Sequence, residues 1–122
     1  MRINIAKPDI SEEEIGAVVD VMRSGMIASG PQTISFENEF AEYVGCNYAC
    51  AVNNGTSALC LALSAAGISP GDEVITTPLT FVATANSILS CGATPVFADI
   101  EEDSFNLSPI SVESKITNKT KA

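Results

Sequence analysis

The residues best suited to chemistry in this 122-residue chain are small polar ones, placed where a buried strand is expected to give way to a helix. The clearest such segment is Asn53-Asn54-Gly55-Thr56-Ser57. Backbone N–H groups at a helix N-terminus have no intrahelical acceptor, and the helix dipole favours an anion there. Gly55 lets the backbone come close to a ligand, and Thr56 and Ser57 add hydroxyl groups. The segment therefore predicts an anion site, with a plain turn capped by Thr56 as the alternative.

A second segment of this kind, Thr77-Pro78-Leu79-Thr80-Phe81, follows the next predicted strand. In open α/β sheets, ligands gather outside the carboxyl ends of the strands. The ring of Phe81 could lie there against a flat heterocycle. The alternative is that Phe81 packs in the core.

The charge balance argues against a nucleic-acid partner. Six Lys and Arg residues against fifteen Asp and Glu residues give a net charge of −9, whereas neutralising a phosphate backbone needs clustered cations. The chain has no histidine, which excludes mechanisms that use an imidazole as base, relay or metal ligand. We interpret the acidic run of Asp99, Glu101, Glu102 and Asp103 as a solvated loop, in preference to acid–base or magnesium chemistry.

The cysteines do not indicate a metal site or a disulfide framework. Cys46, Cys50, Cys60 and Cys91 are separated by three, nine and thirty residues. No CxxC pair is present, and no histidine could complete a zinc site. We therefore predict no metal site and interpret the thiols as reduced side chains that pack as small hydrophobes.

Helices and strands are predicted to alternate along the chain. Ser11 and Glu14 form a capping box at the start of the first helix, which Gly25 ends. A second helix is predicted between Pro31 and Gly45. Further strands are predicted over residues 48–53, 73–77 and 95–99, and further helices over residues 56–66, 81–90 and 109–116. Thr80 is the predicted cap of the helix over residues 81–90.

This alternation is typical of parallel βαβ units with right-handed crossovers. Residues 43–71 and 74–98 carry no charge, as expected of elements covered on both faces of a parallel sheet. The predicted fold class is α/β, with three layers around a mostly parallel sheet. Polar residues interrupt both uncharged stretches well short of the ~20 apolar residues that a membrane span needs. Since no basic-then-apolar signal opens the chain, we expect a cytoplasmic protein with no membrane partner.

The C-terminal residues 117–122 would naturally lead into another strand. Three parallel strands would leave sheet edges unpaired. We therefore expect the chain to be an incomplete part of a longer protein.

Six ordered motifs resemble one family, the DegT/DnrJ/StrS sugar-nucleotide aminotransferases, over essentially the whole chain. The motifs are Ser24 to Pro31, Phe36-Glu37 with Phe40-Ala41, Asn54 to Leu59, Pro70 to Ile75, Thr80 to Asn86, and Pro95-Val96-Phe97 with Asp99. The resemblance implies the amino-terminal, incomplete part of the large domain of a pyridoxal-phosphate-dependent transferase of fold type I.

The resemblance also implies a set of cofactor-binding residues. Gly55, Thr56 and Ser57 match the positions that hold the phosphate of pyridoxal 5′-phosphate, and Phe81 matches the aromatic residue that stacks on its ring. The anion site predicted above from the helix N-terminus lies at the same residues, and that prediction does not use the family. The cofactor supplies an electron sink, and protein groups fix its tilt and protonation.

The implied substrates are glutamate and a keto-sugar nucleotide, between which the family moves an amino group for cell-surface polysaccharide or amino-sugar biosynthesis. Met26, Ile27 and Ser29 lie in a loop that matches a segment near the sugar-nucleotide entrance. That segment is often shared across a dimer interface, so the resemblance implies a homodimer.

The family's cofactor-carrying lysine matches no lysine in this chain and is expected beyond residue 122. We therefore expect no catalytic residue in the chain and no transamination by these residues alone. The predicted organisation is residues 1–47 as N-terminal helices with the entrance loop, and residues 48–122 as the first βαβαβ part of the cofactor-binding domain. The alternatives are a keto-deoxysugar dehydratase of the same family, a non-catalytic binding remnant, and a generic α/β phosphate-binding domain.

Overall fold

The computed structural model describes residues 6–122 and divides into two compact units, Met1–Ala51 and Val52–Ala122. The elements are α1 (Glu12–Ser24), α2 (Pro31–Val44), α3 (Gly55–Ala65), β1 (Glu73–Thr76), α4 (Ala83–Ser90), β2 (Thr94–Phe97) and α5 (Pro109–Lys115). The first two helices belong to the first unit, and the remaining elements belong to the second.

The ends of the two N-terminal helices are fixed as the sequence predicts. The Glu14 carboxylate accepts the backbone N–H of Ser11 at 2.7 Å, and the Ser11 side chain accepts the N–H of Glu13 at 3.2 Å. The Ser11 hydroxyl also donates to the Glu14 carboxylate. This hydrogen bond is the main cause that lowers the pKa of Glu14, and the bond from the Ser11 N–H is the second. Gly25 closes α1 and Gly45 closes α2, with φ of 76° and 74°, in the left-handed region that favours glycine.

The apolar faces of the first unit are largely open among the described residues. No residue of α1 is buried, and in α2 only Ala41 is. The rings of Phe36 and Phe40 contact each other with centroids 5.8 Å apart, yet both stay about half exposed. The apolar residues of α1 and α2 recur with helical spacing, but they do not form a buried core among the described residues of this unit.

The second unit is built around a parallel two-stranded sheet, in which Glu73 lies opposite Thr94 and Thr76 lies opposite Phe97. Helix α4 connects the two strands and contacts both of them as well as α3. The core comprises Ile68, Val74, Ile88 and Ala93, with Leu63 and Cys91 packed against it. The predicted α/β class and the parallel sheet are confirmed.

The other edge of β1 is bonded to the last residues of the chain. Glu73 donates its N–H to Lys119 O at 2.8 Å and accepts the N–H of Lys121 at 2.9 Å. Ile75 donates to Ala122 O at 2.9 Å, and Glu73 forms a parallel bridge with Thr120. The residues predicted to lead into another strand therefore lie beside β1 and are bonded to it over positions 119–122.

The strand predicted over residues 48–53 is wrong, because the segment is irregular up to α3. A strand needs a neighbour, and among the described residues this segment forms no ladder with β1 or β2. The N–H of Ala51 instead donates to the Glu37 carboxylate at 2.8 Å. The predicted strand therefore has no ladder partner in the described chain.

The remaining predicted surface features are exposed. The four acidic residues of the run over residues 99–103 are all exposed, as expected of a solvated loop: Asp99, Glu101, Glu102 and Asp103. None of the helices described in residues 6–122 is long and apolar enough to cross a membrane.

Candidate functional site

The N-terminus of α3 leaves two backbone N–H groups without an acceptor. Asn54 is the N-cap: its side-chain oxygen accepts the N–H of Ser57 at 2.8 Å, and its carbonyl accepts the N–H of Ala58 at 3.1 Å. The N–H groups of Gly55 and Thr56 donate to no acceptor among residues 6–122. Asn54, and not Thr56, thus caps the helix, and the amide and hydroxyl of Thr56 have no hydrogen-bond partner among residues 6–122.

Gly55 is not required by backbone conformation, because its φ lies outside the left-handed region. A Cβ built on Gly55 would meet no atom within 4 Å and would project into open space. The absence of a side chain therefore leaves room for a ligand at these two N–H groups.

That space belongs to a cleft of about 620 Å³ between the start of α3 and the start of α4, within the range typical of small-molecule sites. It is lined by Gly55, Thr56, Ala58, Leu59, Ala62, Phe81, Ala83 and Thr84. The Phe81 ring is 75% exposed, so its face is available to a ligand. The alternative that Phe81 packs in the core is wrong.

A turn ahead of α4 holds Phe81 on the cleft wall. The Thr77 hydroxyl accepts the N–H of Leu79 at 3.0 Å, and the N–H of Thr84 donates to Phe81 O at 3.1 Å. The predicted helix over residues 81–90 therefore begins later, at Ala83. The predicted Thr80 cap is wrong, because its hydroxyl lies 3.4 Å from the Thr84 hydroxyl and α4 has no side-chain cap.

The predicted phosphate residues do not all face the same space. Gly55, Thr56 and Phe81 share the large cleft, whereas Ser57 lines a second cleft of about 480 Å³. Thr56 borders both clefts. The half-buried Ser57 has its amide bonded to Asn54, so only its hydroxyl is available to a ligand.

The predicted substrate-loop residues lie in the other unit, between α1 and α2. Met26 and Ile27 line a cleft of about 230 Å³, to which Ser29 does not contribute. The Met26 N–H donates to the Ser24 hydroxyl at 3.2 Å, which fixes the start of the loop at the end of α1.

The lining of the large cleft offers dipoles and no charge to an anion. No residue between positions 43 and 71 or between 74 and 98 is charged, so every residue that lines the cleft is neutral. Among the described residues, no group of three or more His, Cys, Asp or Glu side chains could hold a metal ion. The arrangement suits a flat, apolar ring that carries an anionic group.

Sequence reasoning missed two residues of this site. Asn54 could have been identified as the cap, since asparagine is among the preferred N-cap residues and an apolar helix follows. Thr84 lies in the first turn of α4, after the turn that holds Phe81, and no local sequence signal marks it as a lining residue of the cleft.

The chain matches the DegT/DnrJ/EryC1/StrS aminotransferase family over residues 8–122. It is 54% identical over 115 residues to the spore coat polysaccharide biosynthesis protein SpsC of Bacillus subtilis, covering 94% of this chain and 30% of that protein. It is 48% identical over 122 residues to the GDP-perosamine synthase of Caulobacter vibrioides, covering 99% of this chain and 33% of that protein.

A Streptococcus pneumoniae protein solved in a PLP form superposes with a TM-score of 0.87 at 40% identity, covering 98% of this chain and 31% of that one. The chain thus spans about a third of the length of the relatives it matches.

Proposed function

Since the chain belongs to the DegT/DnrJ/EryC1/StrS aminotransferase family, we propose that the whole protein moves an amino group from glutamate to a keto-sugar nucleotide. The family uses pyridoxal phosphate. One relative is named for spore coat polysaccharide biosynthesis and another for the synthesis of GDP-perosamine. These names support a role in making an amino sugar for a surface polysaccharide.

One observation carries the proposal: two free amides and an exposed aromatic ring share one uncharged cleft. The donor set fits the cofactor, because N–H and O–H groups at a helix N-terminus suit a phosphate and the ring of Phe81 suits a pyridine. Gly55 and Thr56 would hold the phosphate, with the Ser57 hydroxyl as a further donor. When bound, pyridoxal phosphate supplies the electron sink for amino transfer.

The residues of this chain would bind and orient rather than transfer protons. No acid, base or lysine lines the large cleft. We therefore assign no catalytic residue here and expect the cofactor-carrying lysine outside this chain, so that these 122 residues alone do not transaminate.

The remaining assignments follow from the family and stay proposals. Met26, Ile27 and Ser29 would contact the sugar nucleotide, in a homodimer located in the cytoplasm. Residues 1–47 would carry this loop and residues 48–122 the cofactor site.

The test uses the full-length protein supplied with pyridoxal phosphate, glutamate and a panel of keto-sugar nucleotides. We expect 2-oxoglutarate and an amino-sugar nucleotide in equal amounts, measured by mass spectrometry. Loss of the substrate hydroxyl without a new amine would identify a dehydratase and overturn the aminotransferase assignment.

A further inference from the structure

We propose that Asn54 is a site of spontaneous deamidation, and that the carboxylate formed there weakens binding of the cofactor phosphate. The inference rests on the proposed function, because it takes Gly55 and Thr56 as the residues that receive the phosphate. It assigns to the Asn54-Gly55 pair a chemical liability as well as a binding role.

The reaction needs no reagent other than water. The backbone nitrogen of Gly55 gives up its proton and attacks the side-chain carbonyl carbon of Asn54, forming a five-membered imide ring. The bond to the side-chain nitrogen breaks, and that nitrogen leaves as ammonia. Water then opens the ring at one of its two carbonyls, which yields aspartate or isoaspartate at position 54 and one new carboxyl group.

The geometry around Asn54 and Gly55 favours attack of the Gly55 nitrogen on the Asn54 side chain. Asn54 and Gly55 are both exposed, and the Gly55 N–H donates to no acceptor in the described chain. Gly55 has no side chain to shield its nitrogen. The Ser57 N–H donates to the side-chain oxygen of Asn54 at 2.8 Å, where negative charge develops during the attack. A donor aimed at that oxygen, at the positive end of a helix dipole, stabilises the charge.

Backbone rotation sets when the reaction occurs. The ψ of Asn54 is 167°, so the chain must turn at this bond before the Gly55 nitrogen can reach the side chain. Within the described residues the side chain is restrained by the single hydrogen bond from Ser57. A phosphate on the Gly55 and Thr56 amides would occupy the nucleophile and restrain the turn. Bound cofactor therefore slows the modification.

The product reverses the electrostatics of the site. No residue from position 43 to position 71 is charged, and every residue lining the two clefts beside α3 is neutral, so none of these residues compensates a carboxylate at position 54. In the aspartate product the helix is retained, because aspartate is as good an N-cap as asparagine. That product therefore keeps its stability while its phosphate affinity falls, a combination that simple loss of structure does not produce.

The first test compares Asn54→Asp with Asn54→Ser in the full-length protein, since serine caps a helix without a charge. We expect Asn54→Asp to bind pyridoxal phosphate about tenfold more weakly, while its affinity for pyridoxal, which has no phosphate, is unchanged. Asn54→Ser changes the cap without adding a charge, so any loss of affinity there should be smaller and equal for the two ligands. An equal loss in the two variants, or an equal loss for both ligands in Asn54→Asp, overturns the charge argument.

The second test measures the modification directly. Wild-type protein is incubated at mildly alkaline pH with and without pyridoxal phosphate, and aspartate and isoaspartate at position 54 are quantified by peptide mass spectrometry. We expect both products without cofactor, less with it, and little in Gly55→Ala, whose methyl group shields the nitrogen. Absence of the products, or an equal rate in Gly55→Ala, overturns the proposal.

The two tests separate this inference from the proposed function. Wild-type protein that binds pyridoxal phosphate no better than pyridoxal overturns the proposed function and the cofactor half of this inference. The amounts of aspartate and isoaspartate measured without cofactor show whether Asn54 deamidates, whatever the result of the binding test.

Discussion

Replacing Phe81 by alanine should weaken cofactor binding without harming the fold. The ring is 75% exposed, so it buries only about a quarter of its surface. Full burial of such a side chain contributes about 1.5–3 kcal/mol, and a quarter of that is about 0.5 kcal/mol of folding free energy. Stacking of an aromatic side chain on a heterocycle contributes about 1–3 kcal/mol. The midpoint, about 2 kcal/mol, corresponds to a roughly thirtyfold weaker affinity.

The assay is a titration of the full-length protein with pyridoxal phosphate, followed by cofactor absorbance, alongside urea unfolding of the same variants. Phe105→Ala is the matched control, because Phe105 is 65% exposed and does not line the cleft. We expect normal unfolding for both variants and weaker binding for Phe81→Ala alone. Unchanged affinity in Phe81→Ala, or equal losses in both variants, would refute the stacking role.

Three other substitutions test the phosphate donors, the core and the first helix cap. Thr56→Ala should weaken pyridoxal phosphate binding by about 1.5–3 kcal/mol, with Thr56→Ser as the control that keeps the hydroxyl; unchanged affinity would remove Thr56 from the site. Ile88→Ala, at a side chain only 2% exposed, should lower the free energy of unfolding by about 2–5 kcal/mol in urea, and a loss under about 1 kcal/mol would contradict the assigned core. Ser11→Ala should cost α1 about 1 kcal/mol and raise the pKa of Glu14 toward its ordinary value in an NMR titration. Because folding lowers the pKa of Glu14, the ionised carboxylate stabilises the fold fully when the pH is above the ordinary pKa of Glu14. This stabilisation is lost as the pH falls through the lowered pKa. The plots of unfolding free energy against pH for the wild type and Ser11→Ala should therefore converge in acid, and parallel plots would contradict this linkage.

Local signals predicted the helix ends well, since a cap depends on a few neighbouring residues. The Ser11–Glu14 capping box and the glycines at positions 25 and 45 are observed as predicted. The start of α4 was predicted wrongly, because Thr77 and Phe81 form their own turn contacts that delay the helix. A cap assigned from residue type alone does not reveal such competition.

Strand predictions depended on partners that a local pattern does not contain. The strands predicted over residues 73–77 and 95–99 are observed as Glu73–Thr76 and Thr94–Phe97 and pair with each other, whereas the predicted strand over residues 48–53 has no neighbour in the described chain. The anion site was predictable because free amides at a helix N-terminus follow from helix geometry alone. The placement of Phe81 and Ser57 in different clefts depends on how α3 packs against α4, which no spacing rule gives.

The pairing of β1 with residues 119–122 has a consequence during synthesis on the ribosome. β1 and β2 are complete once residue 97 has been added, but the second edge of β1 is closed only from residue 119. At about 5–20 residues per second, the interval of roughly twenty residues lasts about 1–4 s. During that time the nascent chain presents an open strand edge next to an apolar core. An early-binding chaperone, or slow decoding before residue 119, would therefore change the yield of folded protein without altering its final structure.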